Sequence, residues 1–218
     1  MADKYEIQPS CQIAHDVLQK LYLEEFGYRN YGTFVEVGAW DGVQFSNTWG
    51  LAHAGWHGLY IEANPESIGA CRRNHAEHSV EIETCAIGNG NGDCDLFLGG
   101  SVSTLMENYA RAWGIPLTKH VRVPMRTLDF VLEKHNWPVR YDLLVVDVEG
   151  AEEAVLRGYS IHRWRPKVVI IETHEGGGSA KPPSRIVEFC AGYFRTFRFR
   201  NVWHDAVNTI YVSNDPVI

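Results

Sequence analysis

Thr33-Phe34-Val35-Glu36-Val37-Gly38-Ala39-Trp40-Asp41-Gly42 reads as a buried strand that runs into a glycine-broken turn. Glu36 stands near the end of the apolar run, two residues before Gly38. A strand that stops in such a turn and hands over to a helix presents backbone N–H groups to a ligand. Carboxylates in the turn, Glu36 and Asp41, repel phosphate and favour a cationic ligand. A pyrophosphate site uses G-x-G-x-x-G, which lets the backbone approach the phosphates and the helix pack on the strand. Only Gly38 and Gly42 are present here, with Ala39 and Asp41 between them. A dinucleotide therefore fits poorly on both glycine count and charge.

Gly55-Trp56-His57-Gly58-Leu59-Tyr60-Ile61-Glu62-Ala63-Asn64-Pro65 reads as a second short strand that ends in an acid. Residues 58–61 are apolar and β-prone. Pro65 stands where the next helix would begin, a favoured first-turn position. Glu62 falls roughly twenty residues past the glycine turn, the spacing at which an acid grips ribose hydroxyls. A lone Glu after a strand is more often solvated, but the pairing with the first motif favours the ribose reading. A ribose, an ammonium and a sulfonium together describe S-adenosylmethionine (SAM).

A third block is Tyr141-Asp142-Leu143-Leu144-Val145-Val146-Asp147-Val148-Glu149-Gly150-Ala151-Glu152, followed by Val155-Leu156-Arg157-Gly158. With the two motifs above and the Phe45-Ser46-Asn47-Thr48 run, it makes the chain resemble the FkbM family of SAM-dependent methyltransferases. The likeness spans residues 33–175 and is weak outside them. It implies an α/β, Rossmann-like methyltransferase fold, with a mostly parallel seven-stranded twisted sheet, helices on both faces and an antiparallel last strand. It also implies methyl transfer, most often to a hydroxyl oxygen.

Ligands in such sheets bind beyond the carboxyl ends of the strands. Four expected strand ends carry polar groups: Glu36 with Asp41, Glu62, Asp147 with Glu149, and Glu172 with His174 and Glu175. Glu36, Asp41 and the backbone of Gly38, Ala39 and Gly42 are expected to hold the methionine part of SAM. Asn47 and Ala63 join the cofactor set. The resemblance assigns Glu62 to the ribose and Cys85, Ala86 and Ile87 to the adenine, with Asp147 beside the methyl. Asp147 and His174 are the catalytic candidates, His174 because an imidazole near neutral pH accepts a hydroxyl proton. The competing reading of His174 is a surface-loop histidine. A second reading of the cluster is a metal site, with Asp147, Glu172 and His174 holding Mg²⁺ or Mn²⁺. His75 and His78, three apart on an expected helix, lack further ligands and read as surface residues.

Length and composition agree with one domain over residues 1–218: an N-terminal helical segment, 1–30, and a SAM-binding catalytic core, 31–218. Hydrophobic residues make up 45% of the chain, ample for one core. Lys and Arg number 20 against 27 Asp and Glu, a net charge of −7. That disfavours nucleic acid, whose backbone calls for clustered Lys and Arg. The Arg-rich run 195–200 alternates with Phe and Thr and reads as an edge-strand face. The five cysteines, Cys11, Cys71, Cys85, Cys94 and Cys190, show no C-x-x-C and no disulfide rhythm. With no apolar signal core at the start and no run of membrane length, a cytoplasmic protein with no membrane partner is expected.

Elsewhere, apolar runs alternate with amphipathic segments. Helices are expected over residues 11–26 with Ser10 as N-cap, 46–54, 66–75, 128–135, 152–158 and from 182 to 192. The first is expected to cover the cofactor pocket or a contact between subunits of a homo-oligomer. Strands are expected over 80–87, 93–98, 121–126, 141–148, 167–173, 193–200 and 208–212, the last two antiparallel. Repeated β-α units with short links call for a parallel sheet. The glycine-rich stretch 175–183 is read either as a closing loop or as a plain connection. Trp113, Trp137, Trp164 and Trp203 are read mainly as packing residues. The expected acceptor is a small molecule or glycan methylated on oxygen. An N-methyltransferase or a non-catalytic SAM-binding module are the alternatives. The former usually shows an Asn- or Asp-Pro-Pro-aromatic run where Asp147-Val148-Glu149-Gly150 stands.

Overall fold

The computed structural model describes residues 4–174 and 185–215. The expected loop 175–183, Glu175 and the start of the helix at 182 lie outside them. Seven strands form the main sheet: β1 (Thr33–Val37), β2 (His57–Ile61), β3 (Val80–Glu83), β7 (Leu143–Val146), β8 (Val168–Glu172), β9 (Phe199–His204) and β10 (Asn208–Ser213). Their order is β3-β2-β1-β7-β8-β10-β9. Neighbours from β3 to β8 are parallel, while β10 is antiparallel to both β8 and β9. The mostly parallel seven-stranded sheet with an antiparallel last strand is thus present. The order also reverses at β1, and the ends of β1 and β7 flank that switch point. A ligand crevice opens there in sheets of this kind.

Alternation along the strands sorts the core into two layers. Phe34, Tyr60, Leu143, Val145, Val168 and Ile170 face α1 (His15–Phe26), α2 (Trp49–His53) and α3 (Pro65–Asn74). Val35, Val37, Leu59, Ile61, Leu144, Val146, Val169 and Ile171 face the other way. Against them pack α5 (Leu128–Lys134), α6 (Glu152–Arg157), α7 (Ile161–Trp164) and α8 (Arg185–Thr196). The remaining helix, α4 (Glu107–Ala112), falls in the segment that the sequence left irregular. No helix among the described residues is long and apolar enough to cross a membrane.

Asn64 ties the second strand to its helix. Its side chain accepts the Glu66 N–H at 2.9 Å as the N-cap of α3, and its amide donates to Ser103 Oγ at 3.3 Å. The residue is 1% exposed. Asn64→Ala is expected to cost about 1–2 kcal/mol through the lost cap. For a domain of this size that lowers Tm by about 2–8 °C, which a thermal melt reads directly.

Three expected elements differ. The strand expected over 80–87 breaks. Its first half is β3, while β4 (Ala86–Ile87) leaves the main sheet and pairs with β6 (His120–Arg126), which also pairs with β5 (Gly92–Phe97). Cys85, Ala86 and Ile87 are buried in succession, which the one-faced alternation of an edge strand does not allow. The run 193–200 is not one strand: α8 continues to Thr196, and the chain turns before β9. Tyr193, Phe194 and Phe197 recur at helical spacing, and Phe194 stacks on Tyr211 with centroids 4.1 Å apart. Arg195 therefore belongs to the helix. Finally, α1 starts at His15 without a side-chain cap. Residues 11–13 instead form a strap, with Cys11 bridged to Phe45 in parallel.

Candidate active site

A cavity of about 520 Å³ of empty space, its mouth included, opens at the carboxyl ends of β1, β2 and β7. Its floor is Val37, Gly38, Trp40, Ile61, Glu62 and Ala63. One wall is Cys85, Ala86, Ile87 and Leu96 from the small sheet, and the other is Asp147, Val148 and Glu149. Gly100, Ser101, Ser103 and Leu105 close it. Among the described residues, the lining holds three carboxylates and no Lys, Arg or His.

Glu62 is built into the floor. Its Oε2 accepts the Trp40 N–H at 2.6 Å and its Oε1 the Asn64 N–H at 2.5 Å. It is 8% exposed, and burial raises its pKa against those amide bonds. The glycine turn and the second strand end are thus clamped together by one carboxylate. Gly38 lies between β2 and the end of β7: its N–H donates to the Ile61 carbonyl of β2 at 2.9 Å, and the Asp147 carbonyl stands close on its other side. Trp40 adopts a left-handed backbone (φ 48°) and stacks on Phe45 with centroids 5.9 Å apart.

Of the expected cofactor residues, Gly38, Glu62, Ala63, Cys85, Ala86, Ile87 and Asp147 line this cavity. Glu36, Ala39, Asp41, Gly42 and Asn47 do not, and each has another engagement. Glu36 points into the α1–α2 layer, where Ser46 Oγ donates to it at 3.0 Å and Thr48 Oγ1 donates to the same oxygen. Burial pushes its pKa up to about 7 against those two donors. Asp41 accepts the Val43 and Gln44 N–H groups. Ala39 accepts the Gly42 N–H at 2.7 Å. Asn47 accepts the Ile13 N–H at 3.4 Å and the Tyr22 hydroxyl, fastening strap and α1 to the turn. His75 is not a surface residue as expected: it is 3% exposed and its Nε2 meets the Gly42 carbonyl at 2.8 Å.

Beyond the cavity the acids gather. Asp147 Oδ2 accepts the Gln12 amide at 2.6 Å, while Asp147 Oδ1, Glu172 Oε2 and Gln12 Oε1 are buried with no partner. Glu152 Oε1 accepts the Val148 and Gly150 N–H groups, each at 3.1 Å. Burial raises Asp147 and Glu172, and the negative charge of Asp147 pushes Glu172 further up. Burial and the Asp147 charge also raise Glu149, to about 8, and Glu152, to about 7.

His174 takes another place. Its carbonyl accepts the Tyr109 hydroxyl at 3.0 Å, and its ring lies 6.5 Å from that of Trp113. Among the described residues, the acids with ligand atoms close enough to share an ion are Asp147, Glu152 and Glu172, without His174. Of the tryptophans, Trp137 and Trp164 are in the core, and Trp113 is exposed. The sequence reading passed over Gln12, Trp40 and Glu152 as site residues. Trp40 sat inside the first motif and Glu152 inside the third. Gln12 had no local signal, being placed by the strap.

A sequence model of the FkbM methyltransferase domain matches residues 36–198. No curated protein matches the chain. Among solved structures, it is similar to an FkbM methyltransferase from Methylobacillus flagellatus KT, with TM-score 0.53 and 14% identity over 84% of this chain. The chain spans 44% of the length of that structure. It is also similar to a precorrin-6y C5,15-methyltransferase from Geobacter metallireducens GS-15, with TM-score 0.50 and 9% identity. That match covers 96% of this chain and 94% of the other. At such identities the likeness shows a shared fold.

Proposed function

The chain belongs to the FkbM methyltransferase domain family, and from that premise we propose that it is a SAM-dependent O-methyltransferase acting on a hydroxyl of a sugar, glycan or other small molecule. The observation that carries this reading is the lining of the cavity, with Glu62, Asp147 and Glu149 present and no basic side chain among the described residues. A pyrophosphate ligand would be repelled there, and a sulfonium is attracted. The orphaned Asp147 Oδ1 also fits a ligand that brings a donor or a positive charge.

SAM, when bound, supplies the activated methyl group. Glu62 Oε1 and Oε2 each keep a lone pair beyond the amide bond they accept, and these suit ribose hydroxyls. The apolar wall Ala86, Ile87 and Leu96 suits a flat base. Asp147 Oδ1, held in place through Gln12, suits a hydrogen bond from an acceptor hydroxyl or receipt of its proton. His174 is the other candidate base. What favours Asp147 is its unpartnered oxygen at the cavity wall.

A thermal-shift titration tests the reading. The protein is expected to be stabilised by SAM and unmoved by NAD. Glu62→Ala is expected to weaken SAM binding by about tenfold or more, since charge-assisted bonds to the ribose and the clamp on the turn are lost together. Stabilisation by NAD with indifference to SAM would overturn the proposal.

A further inference from the structure

We propose that Asp147, Glu152 and Glu172 form a binding site for one hard divalent cation, Mg²⁺ or Mn²⁺, at the junction between the cavity and the groove beside α4 and α6. The site is assembled from three elements. Asp147 follows β7, and Glu172 ends the neighbouring parallel strand β8. Glu152 opens α6, where the Val148 and Gly150 N–H groups fix one of its oxygens and leave the other.

One ligand oxygen from each lies within 4.8 Å of the others. Around an octahedral ion with bonds of about 2.1 Å, adjacent oxygens are about 3.0 Å apart and opposite ones about 4.2 Å. The 4.8 Å limit on the trio is slightly wider than the larger of these, a gap that small side-chain adjustments close on an ion. All donors are carboxylate oxygens, the set that selects Mg²⁺ or Mn²⁺ over thiophilic ions.

A second observation is independent of the spacing. Glu172 is 6% exposed, and its Oε2 has no hydrogen-bond donor. Asp147 Oδ1 is in the same condition, and Gln12 Oε1 beside it is a further acceptor without a donor. Buried acceptors are nearly always satisfied, and a charged one left bare is costly. Apart from the Gln12 amide on Asp147 Oδ2, no donor among the described residues reaches these oxygens, so the facing Asp147 and Glu172 carboxyls are held by a shared proton or by a cation, and the third carboxylate, Glu152, favours the cation. Among the described residues the acids in ion pairs lie elsewhere, such as Glu153 with Arg157 and Arg185, Glu25 with Lys167 and Arg200, and Asp142 with Arg29.

The placement suggests a purpose. Asp147 lines the cavity and Glu152 lines the groove between α4 and α6, which also holds Asn108 and Tyr109. A cation held by Asp147, Glu152 and Glu172 would bind an acceptor hydroxyl arriving from the groove and lower its pKa, so that its proton could pass to water before the oxygen takes the methyl group. Asp147 is then a ligand rather than the base. This purpose rests on the methyl-transfer reading, whereas the site itself does not.

The test is Mn²⁺ binding by the purified chain without SAM, read as loss of the free-ion paramagnetic resonance signal. One ion per chain is expected, with affinity at least tenfold lower in Glu152→Gln and in Glu172→Gln. Mn²⁺ at a hundredfold excess over its Kd is expected to raise the wild-type Tm by about 5–10 °C, and the same concentration to raise each variant by about half of that or less. Melting curves without metal check that the variants fold. No uptake at millimolar Mn²⁺ overturns the site and leaves a carboxyl pair sharing a proton. Uptake that is equal in wild type and both variants also overturns it, by moving the ion elsewhere. Mn²⁺ binding in a protein that ignores SAM would retain the site and sink the methyl-transfer reading alone.

Discussion

Gly38→Ala is expected to destabilise the protein by about 3–5 kcal/mol and to abolish SAM binding. Two effects add. Gly38 has φ of 88°, a conformation that costs an L-residue about 1–2 kcal/mol. The added Cβ would also stand 1.6 Å from the carbonyl oxygen of Asp147 and 2.8 Å from its carbonyl carbon. Backbone cannot rotate away as a side chain can. Asp147 is held by its own N–H to the Val37 carbonyl at 2.9 Å, in the middle of the sheet. Relief therefore means parting β1 from β7, which puts the overpacking cost at the upper end of the usual range, about 2–3 kcal/mol. A Tm drop of about 6–20 °C is expected in a melt. Gly90→Ala, whose Cβ would meet nothing within 4 Å, is the matched control. A Gly38→Ala protein melting within 2 °C of that control would refute the close approach.

Between pH 5 and pH 8 the ligand-free protein is expected to lose stability, the reverse of acid denaturation. Glu36 carries the clearest share. Its pKa is about 7 in the folded protein against 4.5 for the ordinary side chain. Between those values the native state binds more protons than the unfolded state, so the free energy of unfolding falls as pH rises. The loss begins above about pH 4.5 and is complete once pH passes the folded value. It amounts to about 3 kcal/mol. Glu149 and Glu152, with raised values of about 8 and about 7, act in the same direction. Glu36→Gln removes the charge and keeps a carbonyl oxygen for the Ser46 and Thr48 hydroxyls. It is expected to match wild type within about 1 kcal/mol at pH 5 and to exceed it by about 1–3 kcal/mol at pH 8. Urea melts across that range decide the matter, because parallel stability curves for the two proteins would rule out a buried, strained Glu36.

Most of the sheet was legible because its strands obey local rules. Leu143–Val146 and Val168–Glu172 are unbroken apolar runs, as strands covered on both faces must be. Pro65 after an Asn marked the start of α3. What was not legible depends on partners far along the chain. Nothing near Ala86 announces that it will pair with Met125. Nothing near Gln12 announces that it will donate to Asp147. Glu36 was legible as a buried acid but not in its direction: strand alternation turns it away from the cavity and toward the hydroxyls of Ser46 and Thr48. Glu152 stood in the sequence only as the last acid of the third block and the start of the helix expected over 152–158. Its nearness to Asp147 and Glu172 appears only once the fold is assembled.

Methyl transfer removes a charge: SAM is a sulfonium, and the thioether left behind is neutral. An all-acidic lining therefore grips the cofactor more tightly before the reaction than after it. In the proposed reaction the spent form would lose its attraction to whichever of Glu62, Asp147 and Glu149 are ionised, so the chemistry itself would loosen the product. Turnover in such a site would be aided by self-discharge, and added salt, which weakens attraction to the charged form alone, would narrow the gap between the two affinities.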